Sequence, residues 1–304
     1  MPMRQDCLSL RVVLACVVGI VFAVGGCGKP LEKPEEQAAG EKKTLPSQSL
    51  VGTRAGEERD DNGLEMKLVW CPAATFTMGS PKSELGRGED EDQVQVTLTA
   101  GFWLGKYEVT QGEWERVMGT TPWKGEEWVK KGPRYAASYV SWEDAMEFVK
   151  KLTAQERQAG RLPAGWEYTL PTEAQWEYAC RAGSKTAFSF GDMATQLSDY
   201  AWWGGLIGNG NTEKERYAHE VGGKKANAWG LHDLPGNVWE WCADGYAEKL
   251  PGGRDPLIAQ ASRRVNRGGG WSGSPSRCRS ACRGGNSPDY RFYLGFRVAR
   301  SPVR

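Results

Sequence analysis

The chain has 304 residues, with 39 Lys and Arg against 38 Asp and Glu, a net charge of +1 and a pI near 7.5. That balance excludes a broad basic surface for nucleic acid and a solvating acidic tail. The only two histidines, His219 and His232, exclude a site built from three imidazoles, while 14 Trp and 39 Gly point to aromatic cores under irregular, turn-rich backbone.

In chain order, Arg4 and Arg11 flank the start of an apolar run over residues 12–24. At roughly 13 residues it is short of the ~20 a spanning helix needs and fits the apolar region of an export signal. The run ends Val24-Gly25-Gly26-Cys27, the pattern of a lipobox. Residues 1–26 are therefore read as a lipoprotein signal peptide and Cys27 as the lipidated residue. Gly28, where an Asp would retain a lipoprotein at the inner membrane of a Gram-negative cell, directs the anchor to the outer membrane, facing the periplasm. Residues 27–63, rich in Pro, Glu, Lys, Gly and Ser and free of aromatics, read as a flexible tether that cannot offset its own ordering entropy. Residues 64–304 form the folded domain.

Within it, Leu68-Val69-Trp70-Cys71 and Thr75-Phe76-Thr77-Met78 predict short strands around a turn, and Val94-Gln95-Val96-Thr97-Leu98 alternates as a half-buried strand does. Three helices follow. Thr110 and Glu113 have capping-box spacing ahead of Trp114, Val117 and Met118. Ser141 precedes Trp142, Ala145, Phe148, Val149 and Leu152 at helical spacing. Thr172 and Gln175 form a second capping box after Pro171. Beyond Arg181 the pattern gives no regular elements.

Two strings near the C-terminus are more specific: Gly230-Leu231-His232-Asp233-Leu234-Pro235-Gly236-Asn237-Val238-Trp239-Glu240-Trp241, and Arg264-Val265-Asn266-Arg267-Gly268-Gly269-Gly270-Trp271 closing with Leu294-Gly295-Phe296-Arg297-Val298. With Lys106-Tyr107-Glu108-Val109-Thr110 and Leu170-Pro171-Thr172-Glu173-Ala174-Gln175-Trp176-Glu177 they resemble the formylglycine-generating enzyme, or sulfatase-modifying factor, family over residues 64–300. The resemblance implies an α+β, irregular, C-type-lectin-like fold with little regular secondary structure. It also implies a calcium site in which Asp233 and Glu240 give side-chain oxygens and Gly236 and Val238 give carbonyls, a mixed set suited to a hard cation.

The enzymes of that family place two cysteines, spaced Cys-x4-Cys, just after the Gly-rich turn, and hold copper with them. Counted forward from Gly270, Cys278 falls on the second of these positions and Gly273 on the first. Counted back from Pro288-Asp289, Cys278 falls outside them. Neither register supplies two thiolates, which Cu(I) requires. Cys278 is thus the sole catalytic candidate, and Cys278 and Cys282 are read as structural. In an oxidising compartment disulfides persist, and the family bridges its cysteine at the position of Cys180 to the strand of Cys278 and Cys282, leaving either as partner. Arg279, Arg283, Arg291, Arg297 and Glu177 are read as a buried ion-pair network, and residues 89–92, Glu-Asp-Glu-Asp, as a solvated acidic loop. The reading is a membrane-tethered, non-oxidase binding or scaffold protein whose ligand is a peptide, a glycan or a protein, with no nucleic-acid partner. The alternative is a copper-dependent oxidase that converts a sulfatase cysteine to formylglycine.

Overall fold

The computed structural model describes residues 50–207, 210–211 and 214–304. The export signal, Cys27 and the tether up to residue 49 lie outside them. Among the described residues no helix is long and apolar enough to cross a membrane.

The three predicted helices form where their caps place them: α1 (Gln111–Met118), α2 (Trp142–Gln158) and α3 (Glu173–Arg181). Each opens with a complete capping box, from Thr110 to Glu113, Ser141 to Asp144, and Thr172 to Gln175. Such a cap satisfies N–H groups the first turn leaves orphaned and contributes about 1 kcal/mol. A fourth, one-turn helix is α4 (Leu197–Tyr200).

Among the described residues, twelve short strands make three sheets. The largest runs β1 (Glu58–Arg59), β2 (Leu68–Cys71), β5 (Phe102–Gly105), β12 (Ala299–Pro302), β6 (Trp166–Thr169). The second runs β10 (Arg283–Asn286), β9 (Arg264–Arg267), β7 (Trp239–Gly245), β11 (Leu294–Gly295). The third runs β3 (Ala74–Met78), β4 (Val94–Leu98), β8 (Gly253–Arg254). β2 and β3, expected around one turn, join different sheets. β2 is buried at every position and lies against β5, whereas β3 alternates exposed and half-buried residues beside β4.

Helices α1 and α2 cover one face of the five-stranded sheet, and Trp114 stacks on Phe148 at 5.7 Å inside that core. Helix α3 sits in a second core with Val96, Phe102, Leu104, Leu234 and Val265, and so joins all three sheets. The fold also extends further toward the N-terminus than composition implied. β1 pairs with β2, and Leu50 accepts a hydrogen bond from Trp103 Nε1 at 2.6 Å. Residues 50–63 thus belong to the domain, ordered by long-range pairing that composition does not reveal.

Candidate functional site

The segment after β9 carries the position where the chemistry of the resemblance would sit. It turns at Gly268 (φ +94°) and Gly269 (φ +75°), where a Cβ would lie 2.6 Å from the Leu234 carbonyl oxygen and 2.8 Å from that of Arg277. Trp271 is buried, Gly273 follows with no side chain, and a single 3-10 turn, Pro275–Cys278, delivers Cys278 inward. Cys278 lies 1% exposed among Ala187, Phe188, Leu197 and Ala201, with its Sγ 3.9 Å from the Ser274 carbonyl oxygen. Burial pushes its thiol well above the ordinary range, and the neighbouring Cys282 and Cys180 push it further. A thiol acts as nucleophile or metal ligand only as the thiolate, and Gly273, the other position the resemblance names, has no side-chain donor. These residues do not fit copper.

The five described cysteines, Cys71, Cys180, Cys242, Cys278 and Cys282, are buried and free. Cys180 donates to Ser280 Oγ at 3.6 Å, and burial raises its pKa to about 11.

Asp233, Asn237 and Gly236 form a turn with φ of 58°, 57° and 87°, and a Cβ on Gly236 would meet the Trp202 carbonyl oxygen at 2.4 Å. Asp233 accepts from Gly222 N–H at 2.6 Å through Oδ2, while its buried Oδ1 has no hydrogen-bond partner among the described residues. Glu240 is committed: Arg297 binds it bidentately at 2.7 and 2.6 Å, and Trp176 Nε1 donates to the same Oε2 at 2.8 Å. Only Oε1 retains a free lone pair by count. Behind them Glu108, 1% exposed, receives Asn237 at 3.3 Å through Oε2 and leaves Oε1 unpartnered. Burial, then the charges of Asp233 and Glu240, raise the Glu108 pKa well above the usual carboxylate range. Burial likewise lifts Asp233 to about 6. Among the described residues no three His, Cys, Asp or Glu side chains are grouped to hold a metal. The set read from sequence has two carboxylates and two carbonyls, and its fit rests on the orphaned Asp233 oxygen and the spare site on Glu240.

A Sulfatase-modifying factor enzyme 1-like domain matches residues 54–302. The chain is 34% identical to the mouse protein named Inactive C-alpha-formylglycine-generating enzyme 2 over 288 residues, covering 84% of this chain and 83% of that one. It is 29% identical to Chaperone protein LppX of Paenibacillus barcinonensis over 253 residues, 68% and 82% of the two chains. Its fold superposes on PvdO from Pseudomonas aeruginosa with a TM-score of 0.70 at 26% identity, covering 82% of this chain and all of that one.

The chain belongs to the sulfatase-modifying factor family. Its fold is the irregular α+β, C-type-lectin-like one of that family.

For a sulfatase-modifying factor domain, the ion pairs are extensive and only partly foreseen. Arg279 pairs with Glu84 and Glu91, Arg283 with Glu173, and Arg297 with Glu240, all buried. Glu177 holds Arg181 at 2.8 Å and also Arg267. Arg291 departs from the expectation: it is a half-exposed partner of Asp144 at the surface. The acidic loop departs too. Glu91 is 1% exposed and is locked by Arg279 and Ser80, because a buried guanidinium needs a carboxylate more than that carboxylate needs water.

Sequence reasoning also missed an aromatic cluster built around Trp271 and Tyr293. Trp128 lies 6.3 Å from Trp271, Trp271 lies 5.3 Å from Tyr293, and Phe292 lies 5.5 Å from Tyr139. Trp128, Tyr139 and Tyr293 hold φ of 60°, 58° and 62°, a region bulky residues avoid. Such backbone costs of order 1–3 kcal/mol per residue and collects at functional surfaces. No local signal in the sequence marks it.

Proposed function

We propose that this protein is a membrane-tethered binding member of the sulfatase-modifying factor family that has lost the oxidase reaction. The observation that carries the reading is that Cys278 is buried and that Gly273, the other position the resemblance names, offers copper no side chain. The similarity to a relative named inactive supports it, and the similarity to one named a chaperone favours protein or peptide segments over glycans as ligand. The aromatic cluster of Trp128, Trp271 and Tyr293, in which Trp128 is exposed, suits such a surface, since aromatic side chains dominate binding hot spots.

The decisive experiment incubates the purified protein with a Cys-x-Pro-x-Arg peptide, with and without Cu(I). The peptide mass stays unchanged in both. Conversion of its thiol to an aldehyde, dependent on copper and on Cys278, would establish the oxidase reading.

The same proposal assigns residues 1–26 to export, Cys27 to acylation and the protein to the periplasmic side of the outer membrane. Cys27→Ser should release the mature protein or leave the signal uncut. Unchanged processing and membrane partition in that variant would remove the anchor from the reading. Calcium completes the proposal. Asp233, Glu240 through Oε1, and the carbonyls of Gly236 and Val238 would hold it, and its charge would offset the unpaired Glu108.

A further inference from the structure

The geometry points to a peptide-binding site at the free edge of β3, where an extended segment of about four residues, carrying a carboxylate, adds as an extra strand. The site shares no residue with the segment around Gly273 and does not depend on whether the oxidase chemistry survives.

The orientation of the β3 backbone follows from its neighbours. Thr97 of β4 accepts from Asp255 N–H at 2.9 Å, so the polar groups of Thr97 face β8. Thr75, which lies opposite Thr97, therefore turns its N–H and C=O away from β4, and Thr77 two residues on does the same. The next outward rung, Gly79, shows what fills this edge. Its N–H donates to Glu177 Oε1 and its C=O accepts from Arg181, both at 2.8 Å, so α3 closes the strand there. One edge strand of the large sheet, β6, is closed as well, by the Thr153 hydroxyl, which binds both the N–H and the C=O of Tyr168. The hydroxyls of Thr75 and Thr77 meet Thr97 and Gln95 of β4, but the outward N–H and C=O of both have no partner among the described residues, and both residues are exposed.

This open edge is also concave. A cleft of about 380 Å³ runs along Thr75, Thr77 and Gly79 and is walled by Tyr178, Ser184 and Lys185. A tilted Phe76–Tyr178 pair, 5.2 Å apart, supplies an apolar wall. The Ser184 hydroxyl is buried with no hydrogen-bond partner among the described residues. A ladder edge gives main-chain affinity and flanking pockets give side-chain selectivity, the two requirements of strand addition. The charge of the ligand follows from the rim. Arg181 is spent on Glu177, Gly79 and Thr186, whereas Lys185 is exposed with no ion-pair partner among the described residues. A carboxylate on the added strand would complete it.

The test uses the full-length protein in detergent micelles and the peptide acetyl-Val-Thr-Val-Glu-amide, whose one carboxylate is the Glu side chain. Peptide at millimolar concentration should slow amide exchange at Thr75 and Thr77 and leave Phe76 and Met78, already bonded to β4, unchanged. Thr77→Pro deletes one outward N–H and spares the β4 ladder. It should weaken binding about tenfold, the scale of one lost hydrogen bond. Lys185→Glu, which leaves the backbone alone, should weaken the acidic peptide and not its glutamine analogue, and it decides the matter if the proline variant does not fold. Absence of binding, equal binding by both variants, amides already protected by the chain's own residues 27–49, or β3-dependent dimerisation in sedimentation would each overturn the site.

Discussion

Two groups of buried carboxylates lie at similar depth in this molecule and are treated in opposite ways. Around α3, Glu173 and Glu177 are answered by three guanidinium groups, Arg181, Arg267 and Arg283, all of them buried. Around the Asp233 turn, Glu108, Asp233 and Glu240 share one, Arg297, and two carboxylate oxygens have no partner. Burial costs every one of these charges several kcal/mol. In the first group the protein has supplied the counter-charge itself. In the second it has not, and the deficit is what a bound cation would remove. The first group is framework, and the second is the proposed site.

The framework half of this comparison predicts the largest effect. Glu177 binds Arg181, Arg267 and the Gly79 amide at once. Glu177→Ala would strand Arg181 and weaken the hold on Arg267 inside the core. Removing one partner of a buried pair costs about 3–5 kcal/mol, enough to threaten a domain of ordinary stability. Denaturant unfolding measures it. A loss below about 1 kcal/mol, the range of exposed pairs such as Arg291–Asp144, would mean that water reaches the network and that the two regions are not distinct.

The sequence made the two regions unequally legible. The helices were readable because their signals are local: Thr110 with Glu113, and Thr172 with Gln175, sit three residues apart and need no distant partner. The strands of the second half were not. β10 reads Arg-Gly-Gly-Asn, which has no strand pattern, and it exists because β9 and the Glu173–Arg283 pair hold it. At the site, Asp233 and Glu240 were visible as parts of a long motif, and the emptiness of position 273 was visible as a missing cysteine. Glu108 lies in a motif too, yet its electrostatic place beside Asp233 arises only when the turn before β7 and the segment after β5 fold together. The departure of Glu91 from a solvated loop has the same origin, since Arg279 lies in a distant part of the chain.

The site half predicts a smaller and conditional effect. A cation that binds only the folded state stabilises it by mass action, by about 2.7 kcal/mol at a hundred times its dissociation constant. Calcium should therefore raise the melting temperature and a chelator should reverse the gain. The orphaned Asp233 oxygen is the donor with no competing partner, so Asp233→Ala should abolish the response. Glu240→Ala is a poorer probe, because it also strands Arg297, and its destabilisation would mix with loss of the ion. Glu108→Gln gives the opposite sign: it removes a buried charge without removing a proposed ligand, so the calcium-free protein should gain stability and the shift on adding calcium should shrink. Equal chelator responses in wild type and Asp233→Ala would place the ion elsewhere, and the charge deficit around Glu108 would then be met by protonation of the carboxylates, the direction in which burial already moves both Glu108 and Asp233.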